Sequence, residues 1–511
     1  MTQKLNVKNK KVSFFDKMLN RIEVIGNKLP DPIVLFAMMA FIILLLSALA
    51  SFLNLSAISP VTQEVITVNN LLSKDGIVEL LTGMVKNFSD FPPLGAVLVI
   101  MLGVGLADES GYFQTLMKRA VLSTPKKIII PAIILIAILG NVAGDATQVV
   151  LPPLAATVLM SFGYHPFVGL VAAYASTLGA FSANVLIGMT DTLAAGFTEV
   201  GARTVDPTFV GNPIMNYYFL FVSTFFLLAV ASWVTYKFTI PRYGLYQGNI
   251  EATEPITAPE KKGLRWANIS ILVMLVIALI GIIPANGMLR NAETGSILEG
   301  SPLMAAIVPL VMILFIVPGI FYGIGAGTIR SSKDFGAQIG KAMSSMGPYI
   351  ALVFVCAQML AYFNASNLGA IIAIKGADLL DAIGFKGIPL FISFVIFVAL
   401  INLLIGSASA KWAILSPIFV PMFMYLGYHP AFTQIMYRIG DSITNPITPM
   451  FPYLVLLLAF AKKFDKNAGL GTLMAGLFPY SIFFGVFWII LLVVWYLLGI
   501  PVGPNAPIFL K

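Results

Sequence analysis

Cysteine and histidine are nearly missing from this chain. Cys356 stands alone among 511 residues, which rules out an intramolecular disulfide and a cysteine-rich metal site. It reads as a packed small hydrophobe. His165 and His429 are the only histidines. Metalloprotease and ATPase chemistry lack their residues, since there is no HExxH, no Walker sequence and no cluster of Cys or His. Charge is scarce too: Asp, Glu, Lys and Arg make up 11% of the chain, less than half the share in soluble domains. What fills the sequence is apolar. Hydrophobic residues reach 58% and the mean hydropathy is +0.91, too high for a soluble domain of any size.

The apolar residues come in long unbroken runs, such as Pro32 to Leu53 and Tyr217 to Val234. A membrane barrel would instead alternate over segments of about ten residues. Helices satisfy their own backbone hydrogen bonds in lipid, so the expected fold is an all-α polytopic membrane protein. Seven of the 31 Lys and Arg fall in the first 31 residues, with no small-residue cleavage site after a short apolar core. No cleaved signal peptide is expected, and the first helix stays. The net charge of +8 needs no nucleic acid, because the basic residues sit in short loops between apolar runs.

Nine segments read as crossings, at roughly 33–54, 92–110, 166–190, 214–238, 266–284, 302–324, 346–363, 430–460 and 475–499. Two more, 126–162 and 388–426, are long, apolar and interrupted near their middles by small and polar residues, and are expected to be re-entrant hairpins. With hairpins counted so, one face holds 22 Lys and Arg and the other seven. By the positive-inside rule the amino terminus is cytoplasmic and the carboxyl terminus external. The two hairpins then enter from opposite faces, making an inverted repeat of 92–240 and 346–500. Residues 241–345 supply a cytoplasmic loop and scaffold helices, with a polar linker at 248–265. The Leu71–Asn87 stretch is expected to lie on the interface as an amphipathic helix. Gly323, Gly325 and Gly327 lack a phosphate-binding context and read as a helix-packing or bend feature.

A signature written twice supports the repeat. Asp145, Pro153 and the run Gly163, Tyr164, His165, Pro166 are matched 264 positions on by Ser409, Pro417 and Gly427, Tyr428, His429, Pro430. Duplicated halves with polar, proline-bearing apolar segments in matching places point to a secondary transporter with its site at the repeat interface. The histidines themselves read as helix-start markers, each before a proline suited to a first turn, with pH sensing as the alternative.

Four places carry candidate chemistry. The first hairpin breaks at Asn141 to Gln148, around Asp145. A carboxylate in the membrane costs about 2.5–3.5 kcal/mol to insert, so it demands a partner, an ion or a proton. The alternative is a helix cap. The second tip runs Gly406, Ser407, Ala408, Ser409, Ala410, Lys411, Trp412. Its small residues expose hydroxyls and carbonyls, which a hard cation such as sodium accepts, and Trp412 offers a ring for an aromatic substrate, the alternative being an interfacial belt tryptophan. Lys411 is expected to snorkel to water. The broken helices carry Ser176, Thr177, Gly179, Ser182 and Asn184 in the first half. In the second they carry Arg438, Asp441, Asn445, Pro446 and Pro449. Arg438 suits a substrate carboxylate, while its three-residue spacing from Asp441 equally allows an intrahelical ion pair. Ser182, Asn184, Ser407, Ser409, Asp145, Asp441 and Asn445 are the ion-coupling candidates, with sodium or a proton as the coupling ion and no other cofactor.

Through Ile25 to Pro30, the Asp145 hairpin, Ser407 to Pro421 and Tyr437 to Pro452, the chain resembles the AbgT family of p-aminobenzoyl-glutamate transporters within the wider ion transporter superfamily. The resemblance implies nine crossings with two hairpins, a homodimer in the bacterial inner membrane, and elevator-type transport coupled to sodium or protons. It carries substrate-binding roles to Asp145, Ser409, Trp412, Pro430, Arg438, Asp441 and Pro449. One departure is visible. The family's first tip more often reads Ser, Asp, Ala, Gly, Tyr, whereas here it is Gly144, Asp145, Ala146, Thr147, Gln148. The expected substrate is p-aminobenzoyl-glutamate or a related small anionic aromatic compound. Proton-driven efflux of sulfonamide-type antimetabolites is the rival on the same fold. A membrane-embedded enzyme would need a catalytic dyad, and only the remote His165 and His429 are on offer. A passive channel fits poorly with paired closed hairpins.

Overall fold

The computed structural model describes residues 30, 32–58, 63–143, 145–244, 246, 255–297, 301–448, 451–466 and 468–510. Ile25 to Leu29, Gly144, Glu251, Glu254 and Pro449 lie outside them. The described residues are mostly helical, with one short antiparallel strand pair among them, Ser56–Ile58 against Val65–Thr67. Among the described residues seven helical stretches are long and apolar enough to cross a membrane by length and composition. Their exposed faces are apolar: on Ala258–Ile282, the side chains Ile269, Leu272, Val273, Leu275, Val276, Ile277 and Ile280 all face outward. A helix apolar on its outer side is one whose solvent is lipid.

The breaks fall where small, polar or proline residues interrupt the apolar runs. Ile129–Leu139 ends in a tight turn at Gly140–Ala143 before Asp145–Ser161 begins. Ile388–Asn402 gives way to Ala408–Tyr425, whose first turn is capped by Ser407 Oγ, accepting from Ala410 N. Pro166–Gly179 stops before Met189–Ala202, and Pro430–Ile443 stops before Pro452–Phe464. Each unravelled segment leaves backbone groups that helix geometry cannot pair. Side chains from elsewhere take them up. Ser442 Oγ accepts from Ser182 N at 3.2 Å, and Asn445 Nδ2 donates to Leu178 O at 3.4 Å.

The starts of Pro166–Gly179 and Pro430–Ile443 are built alike. Gly163 and Gly427 both have φ of 88°, a left-handed turn that favours glycine. His165 Nδ1 then accepts from Phe167 N, and His429 Nδ1 from Ala431 N, each at 3.2 Å. The two histidines are helix caps.

Four helices occupy stretches with no expected element: Tyr112–Leu122, Ser332–Ser344, Leu368–Ala382 and Met189–Ala202, the last lying beyond the crossing expected to end near 190. The first two are amphipathic, so their apolar side is diluted in any average of hydropathy. The expected polar stretch at Leu71–Asn87 is the helix Lys74–Ser89, with Ile77, Val78, Leu81 and Val85 exposed. Gly325 does permit a close crossing: a Cβ there would stand 2.8 Å from Gly263 Cα on Ala258–Ile282. Gly327, at φ 80°, ends its helix.

Candidate substrate site

The site is assembled at the broken helices. Met189–Ala202, Ala408–Tyr425 and Pro430–Ile443 pack together, with Gly201 letting the first two approach and Gly440 letting the third approach Ile388–Asn402. A Cβ on Gly201 would lie 2.5 Å from Ser416 O, and one on Gly440 2.6 Å from Val395 O on the neighbouring Ile388–Asn402. The breaks themselves meet at Gly179, where a Cβ would lie 3.1 Å from Pro446 Cγ.

Between these helices lies a cavity of about 40 Å³ lined by Phe181, Ser182, Phe197, Ser409, Trp412, Tyr437, Arg438 and Asp441, among others. Arg438 is buried there, with Nη1 2.7 Å from Asp191 Oδ1. Its Nη2 donates to Ser182 O at 3.3 Å. Asp191 also accepts from Gly188 N at 2.8 Å, capping the start of Met189–Ala202, where the helix dipole favours a carboxylate. Asp441 pairs with Lys411, Nζ to Oδ1 2.6 Å, and both are fully enclosed. Lys411 Nζ also donates to Asn402 Oδ1. The intrahelical Arg438–Asp441 pair that their spacing allows does not form, because each residue finds an opposite charge on another helix. Nor does Lys411 reach water: it is 0% exposed.

Trp412 is held on both sides. Its ring stacks on Tyr437 with centroids 4.3 Å apart, and Nε1 donates to Thr198 Oγ1 at 2.9 Å and to Ala194 O at 3.1 Å. Thr198 in turn donates to Gln434 Oε1 at 2.6 Å. Tyr437 OH donates to Ala408 O, tying the second tip to the broken helix.

The other expected residues are placed as follows. Ser182 and Ser409 line the cavity, and Ser407 Oγ lies 3.2 Å from Ser409 Oγ. Asn184 Oδ1 accepts from Val185 N and Leu186 N, within its own break. Asn445 Oδ1 accepts from Asn402 Nδ2 at 2.7 Å. Pro430 opens its helix eight residues before Arg438, about 12 Å along the axis, and is outside the cavity lining. Asp145 begins Asp145–Ser161, but its side chain is not among those described. The residues not foreseen are Asp191, Lys411, Asn402, Thr198 and Tyr437. Asp191 carried the same signal as Asp145, a lone carboxylate in an apolar stretch.

Free oxygens for a cation differ between the tips. Asn402 Oδ1 and Asp441 Oδ1 at the second are taken by Lys411. Near the first, Asn141 Oδ1 and Gln148 Oε1 are buried without a hydrogen-bond partner. A larger groove of about 980 Å³, lined by Arg119, Lys261, Arg265 and Leu272, opens between Tyr112–Leu122 and Ala258–Ile282. It is open and lacks convergent groups, so the buried cavity is the better candidate despite its size.

Two ion pairs buried in an apolar bundle are poor stabilisers, since desolvation offsets most of their attraction. Charge kept in such a place at broken helices is the anatomy of a secondary transporter. The comparisons specify which kind. The model of the AbgT putative transporter family matches residues 17–510, and the chain belongs to that family. It is 37% identical over 490 residues to the p-aminobenzoyl-glutamate transport protein of Escherichia coli K12, covering 96% of each. Among solved structures it is similar to Neisseria gonorrhoeae MtrF, with TM-score 0.90 and 41% identity over 96% of this chain and 100% of that one. The Alcanivorax borkumensis YdaH transporter gives TM-score 0.89 and 37% identity, over 93% of this chain and 100% of that one.

Proposed function

We propose that the chain is a secondary active transporter of p-aminobenzoyl-glutamate or a related small anionic aromatic compound, coupled to a sodium or proton gradient. The observation that carries this reading is the cavity wall itself. It sets a buried guanidinium, Arg438, beside the rings of Trp412, Tyr437, Phe181 and Phe197. A guanidinium grips a carboxylate through two bonds, and ring faces suit an aminobenzoyl group. The E. coli relative is named for the same substrate class.

The cavity of about 40 Å³ has room for a water or two, whereas small-molecule pockets run to about 300–1,000 Å³. The described state is therefore closed, and loading requires the tips to part from the broken helices. We read that movement as elevator-like, in a homodimer whose scaffold includes the 241–345 helices. The inverted repeat of 92–240 and 346–500 is supported by element order. Ile129–Leu139, Asp145–Ser161, Pro166–Gly179 and Met189–Ala202 are followed in the same order by Ile388–Asn402, Ala408–Tyr425, Pro430–Ile443 and Pro452–Phe464. In this reading the hairpins lie at 126–162 and 388–426, nine crossings set the termini on opposite faces, and the bias of Lys and Arg supports a cytoplasmic amino terminus and an external carboxyl terminus.

Efflux of antimetabolites of sulfonamide type is the second reading. It is favoured by 41% identity to MtrF, described as illuminating a class of antimetabolite efflux pumps. Flux of labelled p-aminobenzoyl-glutamate and of a labelled sulfonamide in proteoliposomes, under imposed sodium or proton gradients of either direction, separates the two. Gradient-driven movement of the first compound is expected. No gradient-driven movement of either compound would reject transport of this class.

A further inference from the structure

We propose that Lys411 is a built-in cation: its ammonium fills the oxygen seat of the second tip and keeps alkali cations from Asp441. This deepens the transporter reading and rests on it for its meaning, because the tip hydroxyls and carbonyls suggested a sodium at this place. The residues present do not fit one. Lys411 Nζ lies 2.6 Å from Asp441 Oδ1 and donates to Asn402 Oδ1. An ammonium and an alkali cation ask for the same thing, several oxygens at close range and one compensating negative charge. Both requirements are already met from within the chain.

The seat is organised for a cation. Asn402 Nδ2 donates to Asp441 O at 2.7 Å, to Thr444 Oγ1 at 2.9 Å and to Asn445 Oδ1 at 2.7 Å. With its nitrogen so committed, the amide can present only its oxygen to Lys411. The surrounding charges are committed as well. On Met189–Ala202, Asp191 is paired with Arg438, and Glu199 with Arg203. Leu368–Ala382 brings Lys375, Asp378 and Asp381, of which Asp381 pairs with Lys386. On Pro430–Ile443, Tyr437 OH lies 3.5 Å from Asp441 Oδ1. Among the described residues Asp441 is the one acid in ion-pair contact with Lys411.

The ammonium therefore clasps three elements: the start of Ala408–Tyr425, the end of Ile388–Asn402, and the last turn of Pro430–Ile443. An alkali ion in this seat would make the clasp depend on salt. A lysine makes it permanent and specific to the tip that carries it.

The test reads salt, not substrate, so its failure and a failure of the transport reading are distinct. Full-length wild type, Lys411→Ala, Lys411→Met and Lys411→Ala with Asp441→Asn are purified side by side in NaCl and in choline chloride, and Tm is followed against sodium. Removing the ammonium while leaving Asp441 opens the seat. Lys411→Ala or Lys411→Met should show a saturable upward Tm shift in sodium that exceeds that of wild type, and adding Asp441→Asn should abolish the excess. Recovery of a lysine variant in NaCl alone counts as the same result. A sodium response equal to wild type, or equal loss of both variants in the two salts, would overturn the proposal.

Discussion

Arg438 and Lys411 each neutralise a carboxylate from another helix, and each pair is buried where water cannot stand in for a lost partner. Removing one member of such a pair costs about 3–5 kcal/mol, because the other is left charged and dry. Arg438→Ala is thus expected to lower stability by that order in a denaturation measured in detergent. Asp191→Asn on the same background should recover part of the loss by removing the orphaned charge. Full stability in Arg438→Ala alone would mean the pair is not formed. Trp412→Phe separates two roles of the indole. The stack on Tyr437 is kept, while the donor to Thr198 Oγ1 and Ala194 O is lost, at a cost of about 0.5–1.5 kcal/mol for a typical bond. These partners were hard to read from sequence for a plain reason. Asp191 and Arg438 are far apart in the chain, and the one local cue, the spacing of Arg438 and Asp441, pointed to a pair that tertiary contacts override.

The helices and their breaks were far more legible, since both are written locally. Apolar runs long enough to cross, small residues at the tips and prolines after Asn445 mark the elements without reference to anything distant. Tyr112–Leu122 and Ser332–Ser344 escaped because one polar face hides the other in a hydropathy average. Which helices touch was not legible, and glycines decide it. Gly440 brings Pro430–Ile443 onto Ile388–Asn402, with a Cβ placed 2.6 Å from Val395 O and 2.7 Å from Val398 Cβ. Gly440→Ala must push these helices apart. A stability loss of about 1–3 kcal/mol is expected, with transport reduced because Asp441 shifts relative to Lys411. Gly427→Ala acts differently. It meets open space but is held at φ 88°, so a loss of about 1–2 kcal/mol should come from backbone strain alone, and transport should persist. Denaturation midpoints and uptake measured on the same two preparations check both expectations.

At the scale of the whole molecule, a chain of the AbgT family encloses its charged site in a closed state too small for its proposed substrate. The site must therefore open. With Cys356→Ala as a background free of thiols, Ser409→Cys reports on the cavity wall. Labelling by a maleimide should be slow at rest and accelerate when a driving gradient is imposed on proteoliposomes; an unchanged rate would argue against movement at the second tip. The central claim is that Arg438 holds the anionic end of the substrate, and counterflow tests it most directly. Vesicles preloaded with unlabelled p-aminobenzoyl-glutamate and carrying wild type should take up the labelled compound transiently and saturably. Those carrying Arg438→Ala with Asp191→Asn, shown folded by an unchanged elution profile, should not. Equal counterflow in the two would contradict the account.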